Sequence, residues 1–359
     1  MCRILYLSSS HPTLEVDDLK LMDSTGAEIF STGIYLDPSN PVKIPHLLLR
    51  EGALAIKHNP ELRNEFLALN PGYALGYSGL NIPRPKLSKN FVDKFDIVVV
   101  VYIQAMIDHW DILKDKPIII KTCGNTYKTE KQLKKYADCG VIFVRGSKNE
   151  FKIPYNNGGR VIRVTIDPDY YKGWLGKEQT LLTFHSHFKE RRNFPPVQKF
   201  LQLYKAFNTR IYGAYAKGYK DPLVLGTLNY KQQLEEYQKC AVYFNISSGR
   251  APITYNFIEA MCVGIPVVTF GVEVSSSISI MLGYPPLCEI PELIINGKNG
   301  FYSNEVHELK DYITTLMNDR VLANNISKEA RKTVTKIFSV KKSRSQWKNL
   351  FNELGASLS

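Results

Sequence analysis

With 359 residues, 44% of them hydrophobic, the chain is long enough for two domains of roughly 100–200 residues, each with its own core. The six cysteines, Cys2, Cys123, Cys139, Cys240, Cys262 and Cys288, form no CxxC pair, which argues against a disulfide framework or a zinc ribbon and for buried, reduced thiols in a cytoplasmic protein. The formal net charge of +12 is uneven: Arg320–Lys348 holds nine Lys/Arg against one acid, Glu329, and Lys114–Lys152 holds ten against four. Either stretch alone is equally well explained as a solvated helix face. Together they favour an anionic acceptor or surface, whether lipid-linked, phosphate-bearing or nucleic acid, whose attraction salt would screen.

The opening CRILYLSS enters a strand at residue 3 without a basic n-region or a longer apolar h-region, so no secretory leader is expected. No stretch reaches the ~20 apolar residues of a membrane span; IVVVVYIQAMI reads as a buried strand and a turn. A soluble protein is expected, with peripheral docking on a membrane or on nucleic acid left open.

Short β-branched runs recur at 3–8, 95–102, 116–122, 139–146 and 160–166, with longer polar–apolar segments such as 125–138 between them. Continuous apolar strands with helical spacers predict parallel sheets covered on both faces. Region 9–94 is less regular, with turns expected at DPSNP (37–41) and NPGYALGYSGLNIPRP (70–85). The rhythm breaks at 167–179 and then resumes. Strands are expected at 180–185, 209–214, 240–247, 265–271 and 291–295, and helices at 195–207, 230–239, 253–263, 305–318, 322–336 and 340–354. The chain thus reads as two doubly wound α/β domains, and the cleft between them is the default ligand site.

One βαβ unit stands out. AVYFNIS predicts a strand, and SGRA a loop around Gly249. Pro252 suits the first helical position, and Gly264 and Pro266 a helix stop. The start of this helix would offer N–H groups and a partial positive charge to a diphosphate. Glu259, two turns on, could accept bidentately from a ribose diol. Spacing alone does not separate that role from a crossover helix that happens to carry one Glu.

YNFIEAMCVGIPVVTF followed by PELIINGKNGFYSN resembles the C-terminal signature of GT-B-fold glycosyltransferases, especially the large retaining family 4 group. The matching positions are Glu259, Ala260, Met261, Gly264 and Pro266, then Pro291, Glu292, Asn296, Gly297 and Gly300. LLTFHSHFKERRNFPPVQKFLQLYKAF is similar to that family's domain-opening strand, basic loop and helix. LNYKQQLEEYQKCAVYFNISS resembles its helix–strand pair, and residues 316–354 its closing helices. The likeness covers about residues 180–354; the first half shares only the strand rhythm.

This resemblance implies two Rossmann-like domains in GT-B architecture: 1–172 binding an acceptor, 173–337 binding a nucleotide sugar, and a final helix, 338–359, packing back on the first domain. It implies transfer of a hexosyl or pentosyl group from a UDP- or GDP-sugar to a hydroxyl, with retention. Glu259 would hold the donor ribose. The N–H groups of residues 251–255 would face the diphosphate, and Ser248, Gly249, Arg250, Ile253, Thr254, Tyr255 and Gly213 would belong to the donor-binding set. Lys189 and Arg192, or Arg191, would stabilise the leaving group. The signature's first Glu falls on Ala251, which leaves the sugar contact and the stereochemical outcome open.

In that family a first-domain His often lies near the transferred sugar, where KPIIIKTCGNTY has none; His109 is the nearest candidate, although a satisfied surface His is the plainer reading. His185 and His187 alternate at a strand end, where one could line the cleft. Asp167 and Asp169 form a DxD look-alike in the interdomain link, and no metal is expected to be required. There is no P-loop, GxSxG, HExxH or early GxGxxG, which weakens NTPase, hydrolase and dehydrogenase readings. A DNA-modifying transferase acting on a hydroxylated base, a nucleotide-sugar epimerase and a catalytically silent sugar-nucleotide-binding relative remain as alternatives.

Overall fold

The computed structural model describes residues 2–8, 14–33, 59–71, 73, 84–122, 124–213, 220–247, 251–355 and 358. They form two units, each built on a parallel sheet. The first comprises 1–146, 157–165 and 340–359; the second comprises 147–156 and 166–339. Compared with a single boundary at 172, the second unit also takes in 147–156 and 166–172, and the last helix, Val340–Glu353, belongs to the first.

The first sheet contains β1 (Arg3–Leu7), β2 (Glu28–Ser31), β3 (Ile97–Val100), β4 (Ile118–Lys121), β5 (Ile142–Arg145) and β6 (Arg160–Val161), in the order β2-β1-β3-β4-β5-β6. Every pairing is parallel, for example Ile4↔Ile97, Val98↔Ile118 and Ile119↔Ile142. Alternate residues go to opposite faces, and both faces are covered. Ile4, Tyr6, Ile97, Val99, Ile119 and Val144 join Leu19 and Met22 of the helix Leu14–Asp23 and Trp347, Leu350 and Phe351 of the last helix. Leu5, Leu7, Val98, Val100 and Ile120 pack with Phe66, Phe91 and Phe95 on the other side. This two-sided burial is why the strands read as unbroken apolar runs.

The second sheet contains β7 (Glu178–Phe184), β8 (Thr209–Tyr212), β9 (Cys240–Asn245), β10 (Val267–Phe270) and β11 (Phe301–Ser303), ordered β11-β10-β9-β7-β8 and again wholly parallel. One of its cores gathers Leu181, Val242, Phe244, Val268 and Phe270 with Phe200, Leu309, Ile313 and Ile326 of the flanking helices.

Several expectations are corrected. Residues 291–295 are not a strand: Ile290–Leu293 is a short helix with Pro291 in its first turn, where the missing N–H costs no hydrogen bond, and the strand is β11 further on. The run 160–166 pairs only over Arg160–Val161, and Ile166 bridges Ser339 in the second unit. IQAMID, expected to be a turn, is the helix Ile103–Asp108. Region 9–94 holds more regular structure than expected: the helices Leu14–Asp23 and Pro60–Leu69, and β2. The second helix had a readable start, Asn59 capping Glu61 and Leu62 N–H ahead of Pro60. The turn at 37–41 and most of that at 70–85 lie outside the described residues. Of the thiols, Cys2, Cys240, Cys262 and Cys288 are buried but Cys139 is exposed; Cys123 lies outside the described residues.

Trp347 is fully buried in the first unit's core. Trp347→Ala is expected to cost about 3–5 kcal/mol in urea unfolding followed by circular dichroism. A loss under about 1 kcal/mol would mean that the last helix is not part of that core.

Candidate functional site

In a parallel sheet the loops that leave the strands' carboxyl ends share one edge, and ligands bind there. In the second unit β7 and β9 are neighbours, with β8 on the other side of β7. The turn 185–194 follows β7, Gly213 follows β8, and Ser247 and the Glu259 helix follow β9.

That helix spans Tyr255–Val263, not from Pro252. The Pro252 carbonyl accepts from the Glu289 backbone N–H at 2.7 Å rather than from a residue one turn on, so the chain stays non-helical up to Thr254. Thr254 is the N-cap, yet its hydroxyl bonds the Asn245 carboxamide oxygen at 3.3 Å, and its side chain caps no helical N–H. Asn245 is itself fixed by Thr269, whose hydroxyl donates to the Asn245 carbonyl at 3.0 Å. The two central strands thus turn the usual capping group away from the helix start, where the helix dipole favours an anion. At the other end Gly264 has φ 92, and a Cβ there would meet Ser327 Oγ at 2.6 Å, so both conformation and space require glycine.

Glu259 is buried and faces the helix Tyr230–Lys239. Its Oε1 accepts from the Tyr230 hydroxyl at 3.0 Å and its Oε2 from the Gln233 amide at 2.8 Å; Tyr230 also bonds Tyr171 at 2.8 Å. A carboxylate accepts bidentately, which is the chemistry a ligand diol would use. Tyr230 and Gln233 are partners that no one-dimensional spacing pointed to. Ala251 brings no carboxylate, but the Glu289–Pro252 bond ties a second buried acid, Glu289, to its neighbour.

The turn after β7 carries the cations. Lys189 is exposed, and Arg191 and Arg192 are half-buried. Arg192 pairs with the buried Asp221 at 2.6 Å, while the other oxygen of Asp221 accepts the Leu223 N–H. Its guanidinium therefore ties the turn to the 220s segment. His187 holds a left-handed φ of 61 with its Nδ1 against Glu190 at 3.0 Å. His185 is 4% exposed, with neither ring nitrogen bonded among the described residues. Burial, and then the neighbouring Arg191 and His187, push its pKa down to about 4. Gly213 sits against it: a Cβ would meet the His185 carbonyl oxygen at 2.2 Å.

The second unit therefore contains Lys189, Arg191, Arg192, Gly213, Ile253, Thr254, Tyr255 and Glu259. Ser248, Gly249 and Arg250 lie outside the described residues. His109 belongs to the first unit, where its Nε2 bonds the Pro85 carbonyl at 2.6 Å. The Asp167 carboxylate accepts the Asp169 N–H at 3.1 Å and caps a short helical turn. Among the described residues no three His, Cys, Asp or Glu cluster as metal ligands. Nor is any helix there long and apolar enough to cross a membrane.

No protein-family model and no curated protein matches the chain. Solved structures do. Anabaena HepE in complex with UDP aligns over 98% of this chain and 100% of its own at 14% identity, TM-score 0.64. A glycosyltransferase from Rickettsia africae aligns over 98% of each chain at 14% identity, TM-score 0.60. The DNA-modifying enzyme beta-glucosyltransferase aligns over 98% of this chain and 99% of its own at 12% identity, TM-score 0.52. At these identities the likeness is one of fold, and the chain has the α/β GT-B architecture.

Glu259→Ala removes the acceptor of two buried hydrogen bonds. It is expected to destabilise the protein by about 1–3 kcal/mol in urea unfolding. An unchanged midpoint would mean that the Tyr230 and Gln233 bonds contribute nothing to the fold.

Proposed function

We propose that this chain is a glycosyltransferase that moves a sugar from a UDP-sugar to an acceptor hydroxyl without a bound metal. The observation that carries the reading is the carboxyl edge of the second sheet. There a helix start left uncapped by its own Thr254 shares one unit with a buried carboxylate on the same helix and a turn bearing Lys189 and Arg191. Breaking the bond from the sugar to the diphosphate develops negative charge on the leaving group. A helix dipole and fixed cations stabilise that charge in place of a metal. Arg191 and Lys189 take this role in our reading, with Arg192 holding the turn through Asp221. Glu259 receives the ribose hydroxyls while keeping its bonds to Tyr230 and Gln233. The HepE complexes with UDP and with UDP-glucose support uridine over guanosine. We read the transfer as retaining, on the family 4 resemblance of residues 255–270; with Ala251 in the first Glu position, groups other than that carboxylate meet the sugar.

UDP-glucose is expected to raise the thermal midpoint by mass action. Lys189→Ala with Arg191→Ala is expected to lower donor turnover by about a hundredfold or more, the scale of losing a leaving-group stabiliser. Turnover should persist in EDTA; loss restored by Mg²⁺ or Mn²⁺ would return Asp167 and Asp169 to consideration.

The acceptor is read as anionic, because Lys328, Lys332 and Lys336 in the second unit and Lys341, Lys342, Arg344 and Lys348 in the first are exposed. The likeness to a DNA-modifying enzyme makes duplex DNA the first anion to try. Its binding should weaken steeply between about 50 and 200 mM salt. A salt-independent or undetectable interaction with DNA would remove nucleic acid as the acceptor.

A further inference from the structure

Burying a polar group without a partner forfeits the hydrogen bonds it made to water, so native structures rarely leave one. His185 is such a group: 4% exposed, with both ring nitrogens unpartnered among the described residues. The ring stands edge-on to Phe188 with centroids 5.7 Å apart, a contact that an apolar ring of similar shape also makes.

Its place is specific. His185 directly follows β7, and its backbone N–H donates to the Tyr212 carbonyl at the end of β8. On the other side β7 pairs with β9, the strand that leads into the Glu259 helix. The turn that begins at His185 carries Lys189 and Arg191. The low pKa keeps the ring neutral at neutral pH, with one N–H donor and one acceptor nitrogen. A phosphate oxygen only accepts, so it suits that N–H. Beside Arg191 a neutral donor adds a hydrogen bond without adding another like charge to the site.

We propose that His185 is a donor-binding residue whose ring N–H bonds a phosphate oxygen of the nucleoside diphosphate, so that the ligand supplies a partner that none of the described residues provides. The proposal rests on the UDP-sugar reading above and adds a contact which that reading does not contain.

Calorimetry with UDP and with UDP-glucose, beside thermal unfolding without ligand, tests it on His185→Phe and His185→Gln. His185→Phe should leave the unliganded midpoint unchanged or raised, since it removes an unpaired polar group, and should weaken UDP about ten- to hundredfold. His185→Gln keeps an N–H donor and should recover part of that loss. Equal UDP affinity in wild type and His185→Phe overturns the proposal. A loss seen with UDP-glucose but not with UDP also overturns it, because the contact would then be to the sugar. If His185→Phe does not fold, His185→Gln is compared with His185→Ala: a glutamine no better than alanine overturns the proposal. Failure of the wild type to bind either ligand overturns the UDP-sugar reading itself, an outcome distinct from the others.

Discussion

Every strand pairing in both sheets is parallel, and the remaining features depend on that constraint. A parallel neighbour cannot be reached by a tight turn, so each strand is followed by a crossover. The crossovers cover both faces and force the strands to be apolar on both sides. They also bring every strand's outgoing loop to the same edge. In the second unit that edge receives the turn after β7, Gly213 after β8 and the Glu259 helix after β9. The hydrogen bond between Thr254 and Asn245 belongs to this edge: strand β9 holds the cap residue of the helix that follows it. The same contact that orders the loop keeps the Thr254 side chain off the helical N–H groups.

The charge pattern takes on a different meaning once the side chains are placed. Of the ten cations in Lys114–Lys152, Lys121 is buried against Asp18 and Arg145 is buried against Glu130 with bonds of 2.5 and 2.9 Å. Burial first raises the Asp18 carboxyl, with Lys121 opposing it, whereas Arg145 and Asn125 hold Glu130 below its ordinary range despite the burial. In the other stretch Arg331 donates to the Tyr171, Cys262 and Pro168 carbonyls, and Arg320 to those of Leu175 and Gly176. These four are structural cations. Lys328, Lys336, Lys341, Arg344 and Lys348 are the exposed cations of the last two helices that this leaves for an anionic partner, a smaller set than the formal charge suggests.

Strands with two buried faces were the easiest elements to read, because a run such as IVVV or IIIK admits few other uses. The helix stop at Gly264 was equally plain, since a left-handed cap beside Ser327 needs glycine. Short elements were harder. β2 has four residues and Ile290–Leu293 has four, too few for a period to declare itself, and Pro291 suits either a strand edge or a first helical turn. The start of the Glu259 helix was placed three residues early because Pro252 is a good first residue; a long-range bond from Glu289 decides otherwise. Arg191 and Arg192 look alike in one dimension, and Asp221, 29 residues on, distinguishes them.

What chain order alone specifies here is whatever depends on local pattern: two parallel α/β units, a helix capped by Gly264, a lone Glu in its middle, and a basic turn after the strand that opens the second series. What only packing decides is which of these groups already have partners. Glu259 is taken up by Tyr230 and Gln233, Arg192 by Asp221, and the Thr254 hydroxyl by Asn245, while the His185 ring is buried without a partner among the described residues. The reason is physical: secondary structure follows from neighbours a few residues apart, whereas hydrogen-bond satisfaction is settled between strands and helices that meet only after the chain has folded.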